Sequence, residues 1–94
     1  DMKIGLIGCG NIGRFLLQAI NRDGLLQGGK IVAIYTRNEE LGSKLAVEFS
    51  TNSFSDVDSL LKSDVDIVIE AATIEAAKEY AIKVLEGRKN LVLS

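Results

Sequence analysis

The 94-residue sequence contains no histidine and only one cysteine, Cys9. A single cysteine cannot form an internal disulfide, so a reducing, cytoplasmic environment is expected. Without histidine, this chain cannot build a Cys/His zinc site or a Ser-His-Asp or Cys-His catalytic arrangement. Any acid–base chemistry within the chain would have to use carboxylates, lysine or tyrosine.

The sequence also lacks a strong net charge and a long apolar segment. Its net charge of −2 provides no basic surface for nucleic acid. No apolar run approaches the roughly 20 residues of a membrane-spanning helix, and no signal peptide is visible. The acidic residues between 56 and 66 do not have the dense spacing of a metal-binding loop, so no metal site is expected. With 47% hydrophobic residues, the chain should form one small globular domain.

Short β-branched runs alternate with helical patterns along the chain. Strands are predicted at residues 3–8, 30–35, 65–72 and 90–94. Helices are predicted at about 11–22, 39–48, 55–62 and 74–86, the last three capped by Asn38, by Ser55 with Asp58, and by Thr73. This alternation predicts an α/β fold, a Rossmann-type three-layer parallel sheet. The sheet should have about four strands in the order 3-2-1-4, as in a truncated doubly wound fold.

The segment "KIGLIGCGNIG" contains the spacing G-x-G-x-x-G between a predicted strand and a predicted helix. In a dinucleotide site, Gly8 would allow the tight turn, Gly10 would let a pyrophosphate approach the backbone, and Gly13 would let the helix pack on the strand. Asn11 and Ile12 stand at the helix N-terminus, whose free N–H groups attract anions. The alternative is a tight strand–helix turn without a ligand.

A second cofactor determinant is expected about 20 residues further on, at the end of the second strand. NAD-selective sites usually have Asp or Glu there, but this chain has "IYTRN", with Thr36 and Arg37. Arg37 could pair with a 2′-phosphate or stack on adenine, whereas Glu39 and Glu40 nearby oppose a phosphate. We therefore expect NAD(P) as cofactor with NADP(H) accepted, and a preference for NADP(H) stays open.

The strand-end segment "IEAAT" supplies the remaining candidate residues. Ala71 and Ala72 are small enough to let a cofactor lie close, and Thr73 can donate a hydrogen bond. The alternative is that the alanines only pack and Thr73 only caps a helix. Glu70 ends a predicted buried strand, where a carboxylate needs a partner. A place at the cofactor or substrate cleft stays open, and no role is assigned to it.

Two segments, "MKIGLIGCGNIGRFL" and "DIVIEAATIEAAKEYAIKVLEGRKNLVLS", resemble the N-terminal NAD(P)-binding domain of the L-aspartate dehydrogenase family. The cofactor domains of homoserine dehydrogenase and dihydrodipicolinate reductase are similar more loosely. The resemblance spans essentially the whole chain and implies oxidative deamination of L-aspartate to iminoaspartate, with hydride transfer to NAD(P). It implies cofactor contacts at Gly8, Gly10, Asn11, Ile12, Gly13, Thr36, Arg37, Ala71, Ala72 and Thr73. Family members often have Asp where this chain has Thr36, so strict NAD preference is not implied.

The resemblance also implies a second domain that binds the dicarboxylate and supplies a catalytic histidine. Residues 1–94 are therefore expected to be a cofactor-binding domain with no catalytic residue of its own, inactive without that partner domain. Its expected partners are a nicotinamide dinucleotide and, for the parent enzyme, a small amino acid; a homo-oligomer is left open. Three alternatives also stay open: another NAD(P)-dependent oxidoreductase such as homoserine dehydrogenase, a nucleotide-sensing module, and a structural domain with a vestigial site.

Overall fold

A computed structural model describes residues 1–87 of the chain. One sheet of parallel strands contains β1 (Met2–Ile7), β2 (Gly29–Tyr35), β3 (Asn52–Phe54) and β4 (Ile67–Glu70) in the order β3-β2-β1-β4. The α-helices are α1 (Asn11–Leu17), α2 (Glu39–Glu48), α3 (Val57–Lys62) and α4 (Ala71–Gly87). A π-helical turn, Gln18–Arg22, continues α1 directly, so the predicted helix 11–22 is present as one helical segment.

The predicted α/β class and the strand order 3-2-1-4 are confirmed, but two of the strands are not the predicted ones. The sequence pattern misses β3, whose residues Asn52 and Ser53 are polar. Since β3 occupies the position beside β2, the segment predicted as the third strand becomes β4, beside β1. Strand β4, at Ile67–Glu70, is also shorter than the predicted range 65–72. The strand predicted at residues 90–94 lies outside the described residues.

The central strand β1 sets the position of the loops. Ile7, at its carboxyl end, lies opposite Tyr35 of β2 and Glu70 of β4. Because the strands are parallel, their following loops gather at one edge of the sheet, where ligands bind in doubly wound folds. The glycine loop after β1, the segment after β2 and the start of α4 therefore meet there.

Helices cover both faces of the sheet, as the three-layer prediction requires. On one face, Ile4 and Leu6 of β1 pack in a buried cluster with Leu17 of α1 and Leu45 of α2. Gly5 points to the opposite face because side chains alternate along a strand. A Cβ built on Gly5 would lie 3.0 Å from Cδ2 of Leu60, so α3 covers that second face.

Helices α1 and α2 begin where the sequence predicted, whereas α3 and α4 do not. The side chain of Asn38 accepts a hydrogen bond from the Leu41 N–H at 3.0 Å, as predicted for its cap. The predicted Ser55 box is wrong, because Asp56 caps α3 and accepts from the Ser59 N–H at 2.7 Å. That hydrogen bond holds the pKa of the Asp56 carboxyl below its usual range.

Helix α4 begins directly at the end of β4, three residues before the predicted start. Thr73 therefore lies in its first turn and does not cap it. Ala71 is buried in the main cluster, but large apolar residues beyond it are exposed, including Ile74 and Leu85. Within residues 1–87, none of the helices combines the length and the apolar character that crossing a membrane would require.

Candidate functional site

The loop after β1 leaves the strand through a left-handed residue. Gly8 has a φ of +85°, which residues with a side chain rarely adopt. Its N–H donates a hydrogen bond to the carbonyl oxygen of Tyr35 at 2.8 Å, which ties the turn to the end of β2. Gly8 therefore fixes the turn that the sequence predicted for it.

The other two glycines of the motif have opposite surroundings. A Cβ built on Gly13 would lie 2.6 Å from the carbonyl oxygen of Gly8, so α1 approaches the loop as closely as a glycine allows. A Cβ built on Gly10 would meet no heavy atom within 4 Å among the described residues. The fold therefore requires Gly13 to lack a side chain, whereas the space above Gly10 is open.

The N-terminus of α1 faces this open space. Gly10 is the N-cap residue, and no side chain of the described residues caps the helix. The first N–H groups of an α-helix have no intrahelical acceptor, and they carry part of the positive end of the helix dipole. Such an arrangement favours a bound anion such as a phosphate group.

A cavity of about 180 Å³ lies between the glycine loop and the first turns of α4. Its lining brings together seven of the residues predicted for the site and one that was not predicted: Gly8, Gly10, Asn11, Ile12, Gly13, Ala71, Ala72 and Glu75. Clefts that enclose a whole drug-sized ligand measure about 300–1,000 Å³. This cavity therefore has room for the central part of a dinucleotide, and both ends would extend beyond it.

Small residues at the start of α4 let that helix come close to the loop. A Cβ built on Gly8 would lie 3.6 Å from the backbone nitrogen of Ala72. Ala71 is 3% exposed and belongs to the main core cluster. The start of α4 is thereby fixed beside the loop, and two helix N-termini flank the cavity.

Thr36 and Arg37 lie outside the cavity lining, beyond the end of β2. Thr36 is half-buried, and its Cγ2 would lie 3.1 Å from a Cβ built on Gly42, so it packs against α2. Arg37 is exposed, and within residues 1–87 it has neither an ion pair nor a hydrogen bond through its side chain. Its guanidinium is therefore available to a ligand that extends from the cavity towards β2.

Thr73 and Glu70 also lie outside the cavity lining. The Thr73 hydroxyl donates a hydrogen bond to the Glu70 carboxylate, and both residues are exposed. Glu70 is thus exposed and not buried as the sequence predicted, and its carboxylate has a hydrogen-bond partner at the end of β4. The structure does not bring Thr73 together with the glycine loop.

Glu75 is the cavity residue that the sequence interpretation misses. It lies four residues after Ala71 and therefore on the same side of α4. Its Oε2 is buried and has no hydrogen-bond partner among the residues that the structure describes. The helical spacing from Ala71 would have identified it, but only with the start of α4 placed at Ala71.

Cys9 lies inside the glycine loop, but its thiol is not activated. The residue is 7% exposed, and burial raises the pKa of the Cys9 thiol to about 11. A reactive cysteine needs a lowered pKa and access to solvent. Cys9 is therefore a small core residue and not a nucleophile.

Comparisons with known proteins find relatives over nearly the whole chain. A family model described as "Homoserine dehydrogenase, NAD binding domain" matches residues 8–94. L-aspartate dehydrogenase from Methanocaldococcus jannaschii is 38% identical over 92 residues, which cover 98% of this chain and 34% of that protein. The chain thus spans about one third of the length of the curated relatives it matches.

Solved structures match the fold. Scyllo-inositol dehydrogenase from Lactobacillus casei, solved with NAD(H) and scyllo-inositol, superposes with a TM-score of 0.67 at 24% identity, covering 74% of this chain and 21% of that chain. UDP-N-acetylglucosamine 3-dehydrogenase from Acidithiobacillus ferrooxidans gives a TM-score of 0.60 at 30% identity, covering 73% of this chain and 21% of that chain.

Proposed function

Since the chain belongs to the family of homoserine dehydrogenase NAD-binding domains, we propose that it is the cofactor-binding domain of an NAD(P)-dependent L-aspartate dehydrogenase. The parent enzyme would oxidise L-aspartate to iminoaspartate and transfer the hydride to NAD(P)⁺. One observation carries the proposal: the cavity at the glycine loop lies in a chain that is similar to L-aspartate dehydrogenases over 98% of its length.

In this proposal the pyrophosphate of the cofactor binds at the N-terminus of α1. The main-chain N–H groups of Asn11, Ile12 and Gly13 would donate to its oxygens, and the helix dipole favours its charge. The open space above Gly10 supports this placement, because it lets the phosphates approach the backbone. The bound cofactor supplies the hydride acceptor, whereas these residues hold and orient it.

The two halves of the cofactor would extend in opposite directions from the cavity. Strand β1 lies between β2 and β4, and doubly wound folds bind dinucleotides across this reversal of strand order. We place the adenosine half on the side of β2, within reach of Thr36 and Arg37. The nicotinamide half then lies on the side of β4 and α4.

We also propose that NADP(H) is accepted alongside NAD(H). Thr36 leaves the end of β2 without the carboxylate that would repel a 2′-phosphate, and the exposed Arg37 guanidinium can pair with that phosphate. Glu39 and Glu40, in the first turn of α2, reduce the net attraction. Acceptance of both cofactors fits this mixture of charges, and NADPH should bind at least as tightly as NADH.

The chemistry of the substrate would reside in another part of the parent enzyme. The chain has no histidine and spans about one third of its relatives' length. We propose that residues 1–94 bind the cofactor without turning substrate over, and that a further domain binds the dicarboxylate. A cytoplasmic location, expected from the single cysteine, is proposed with it.

A second candidate is the cofactor domain of a homoserine dehydrogenase, which the description of the matching family model favours. The full-length enzyme separates the two activities. We expect NAD(P)⁺ reduction with L-aspartate and none with L-homoserine, followed as absorbance of the reduced nicotinamide. The reverse pattern would replace our proposal by the second candidate.

The cofactor-binding part of the proposal is tested on the chain itself. Calorimetric titrations with NADH and NADPH, after circular dichroism has verified folding, should each give saturable binding with one site per chain. AMP alone should bind more weakly, because it lacks the pyrophosphate. A folded chain that binds neither dinucleotide would contradict the proposal.

A further inference from the structure

Glu75 has a buried carboxylate oxygen without a hydrogen-bond partner in the described part of the chain. Its Oε2 is buried, and no residue among 1–87 donates a hydrogen bond to it. Burying a polar group without a hydrogen bond is unfavourable, and nearly all buried polar atoms in folded proteins have a partner. A ligand that donates hydrogen bonds into the cavity would remove this cost.

The position of Glu75 restricts which part of a ligand it can meet. It lines the same cavity as Gly10 and Asn11, from the second turn of α4. It therefore lies on the β4 side of the glycine loop, whereas Thr36 and Arg37 lie on the β2 side. A dinucleotide seated on the loop would present its second nucleoside, and not its adenosine, to Glu75.

The chemistry of a carboxylate then determines which group of the ligand Glu75 can bind. An ionised carboxylate only accepts hydrogen bonds, and a pyrophosphate offers only acceptors and like charge. Ribose hydroxyls are donors, and carboxylates hold the ribose of dinucleotides in this fold class from the end of the second strand. In this chain Thr36 occupies that usual position, and among the described residues Glu75 is the carboxylate that lines the cavity.

We infer that Glu75 accepts hydrogen bonds from the hydroxyls of the nicotinamide ribose and so selects ligands that carry a second ribose beyond the pyrophosphate. The inference rests on the proposed function, because it assumes a dinucleotide on the glycine loop. Glu75 would act as a specificity-determining residue, because its hydrogen bonds raise the affinity for the complete cofactor above that for nucleotides that end at the phosphates.

The test compares three ligands with the wild-type chain and with Glu75→Ala, by calorimetric titration. NADH and ADP-ribose both carry the second ribose, whereas ADP ends at the diphosphate. We expect Glu75→Ala to weaken NADH and ADP-ribose about tenfold each, the loss of one hydrogen bond to a charged group, and to leave ADP within about twofold. Glu79→Ala, an exposed glutamate one turn further along α4, should leave all three unchanged.

The outcomes separate this inference from the proposed function. NADH binding by the wild-type chain with no loss in Glu75→Ala would overturn the role of Glu75 alone. Stronger binding of all three ligands by the variant would overturn it too, because the carboxylate would then only repel phosphates. Loss of NADH without loss of ADP-ribose would move the contact to the nicotinamide ring. No NADH binding by the folded wild-type chain would contradict the proposed function and this inference together.

The variant should fold, because Ala favours helices and the substitution removes an unpartnered buried oxygen. Glu75→Gln, which keeps one oxygen acceptor in a side chain of the same shape, provides the second variant. We expect its affinity for NADH and ADP-ribose to fall between those of wild type and Glu75→Ala. A Glu75→Gln chain that binds both as weakly as Glu75→Ala would contradict hydrogen-bond acceptance and indicate a purely electrostatic role.

Discussion

Gly13 lies against the carbonyl oxygen of Gly8, so closely that a Cβ on Gly13 would stand 2.6 Å from that oxygen. Gly10, between them, has no heavy atom of the described residues within 4 Å of the same constructed position. The three glycines of the motif are therefore needed for different reasons. The left-handed backbone conformation requires Gly8 and a close contact within the protein requires Gly13, whereas only a bound ligand would require Gly10.

Gly13→Ala should destabilise the fold. The added methyl group meets a backbone oxygen, which cannot move aside like the end of a flexible side chain, so α1 must shift away from the loop. We expect a loss of about 1–3 kcal/mol in the free energy of unfolding, as for other overpacked sites. Urea denaturation followed by circular dichroism measures it. An unchanged midpoint would show that α1 can shift at no cost.

Gly10→Ala should separate binding from stability. The added methyl group projects into open space, so the free energy of unfolding should change by less than about 1 kcal/mol, mainly through the weaker N-cap. In the proposed site the same methyl group occupies the approach of the pyrophosphate, and NADH affinity should fall at least about tenfold. Calorimetric titration measures the NADH affinity, and urea denaturation measures the free energy of unfolding. Wild-type affinity in the folded variant would place the pyrophosphate elsewhere.

Asn21 should be a stability hot spot far from the cavity. Its side chain donates to the carbonyl oxygens of Ile31 at 2.9 Å and Phe49 at 3.0 Å and accepts from the Ile31 N–H at 2.8 Å. It thus joins the π-helical turn, β2 and the end of α2. Asn21→Ala should lower the free energy of unfolding by about 2–4 kcal/mol, with NADH affinity of the remaining folded chain unchanged.

Local sequence signals predicted the central part of this fold. The glycine spacing, the apolar runs of β1 and β2 and the Asn38 cap depend on neighbours along the chain, and each is present. Strand β3 depends instead on pairing with β2, where Phe54 lies opposite Tyr35, and its polar residues give no apolar run. Non-local pairing of this kind leaves no periodic pattern in the sequence.

The residues that line the cavity could also be predicted only in part from the sequence. Gly8, Gly10 and Gly13 follow from spacing alone, but Glu75 requires the start of α4 to be known. With Thr73 as the expected cap, the helix would begin three residues late and Glu75 would have no predicted place beside the loop. Because α4 begins at Ala71, its second turn lies at the cavity.

The Cys9 thiol should be unreactive and should give a pH dependence to stability. Burial raises its pKa from about 9 to about 11. At pH 8 we expect alkylation by iodoacetamide to be about a hundredfold slower than for an unfolded control in urea.

The sign of the stability change follows from linkage. A thiol that is neutral when folded ionises first in the unfolded chain, so its stabilising contribution is complete below pH 9 and is lost as the pH rises towards 11. The difference in unfolding free energy between wild type and Cys9→Ala should therefore shrink across that interval. Lysine and tyrosine titrate in both proteins and cancel in the comparison. A constant difference would contradict a buried, neutral Cys9.

Arg37 should decide how well NADP(H) is bound. Its guanidinium is exposed beyond the end of β2, and the adjacent Thr36 adds no negative charge. Arg37→Ala should lower the affinity for NADPH about tenfold, because one charge-assisted hydrogen bond to the 2′-phosphate is lost, and the affinity for NADH by less than about threefold.

Lys44→Ala is the control, because it removes an exposed cation from α2 and changes the net charge by the same amount. It should lower the affinity for both cofactors equally and slightly. Thr36→Asp should make the chain bind NADH more tightly than NADPH, because the carboxylate accepts from the ribose hydroxyls and repels the phosphate. Equal losses of NADPH and NADH in Arg37→Ala would indicate stacking on adenine, which both cofactors share, and the 2′-phosphate would then have no partner in this chain.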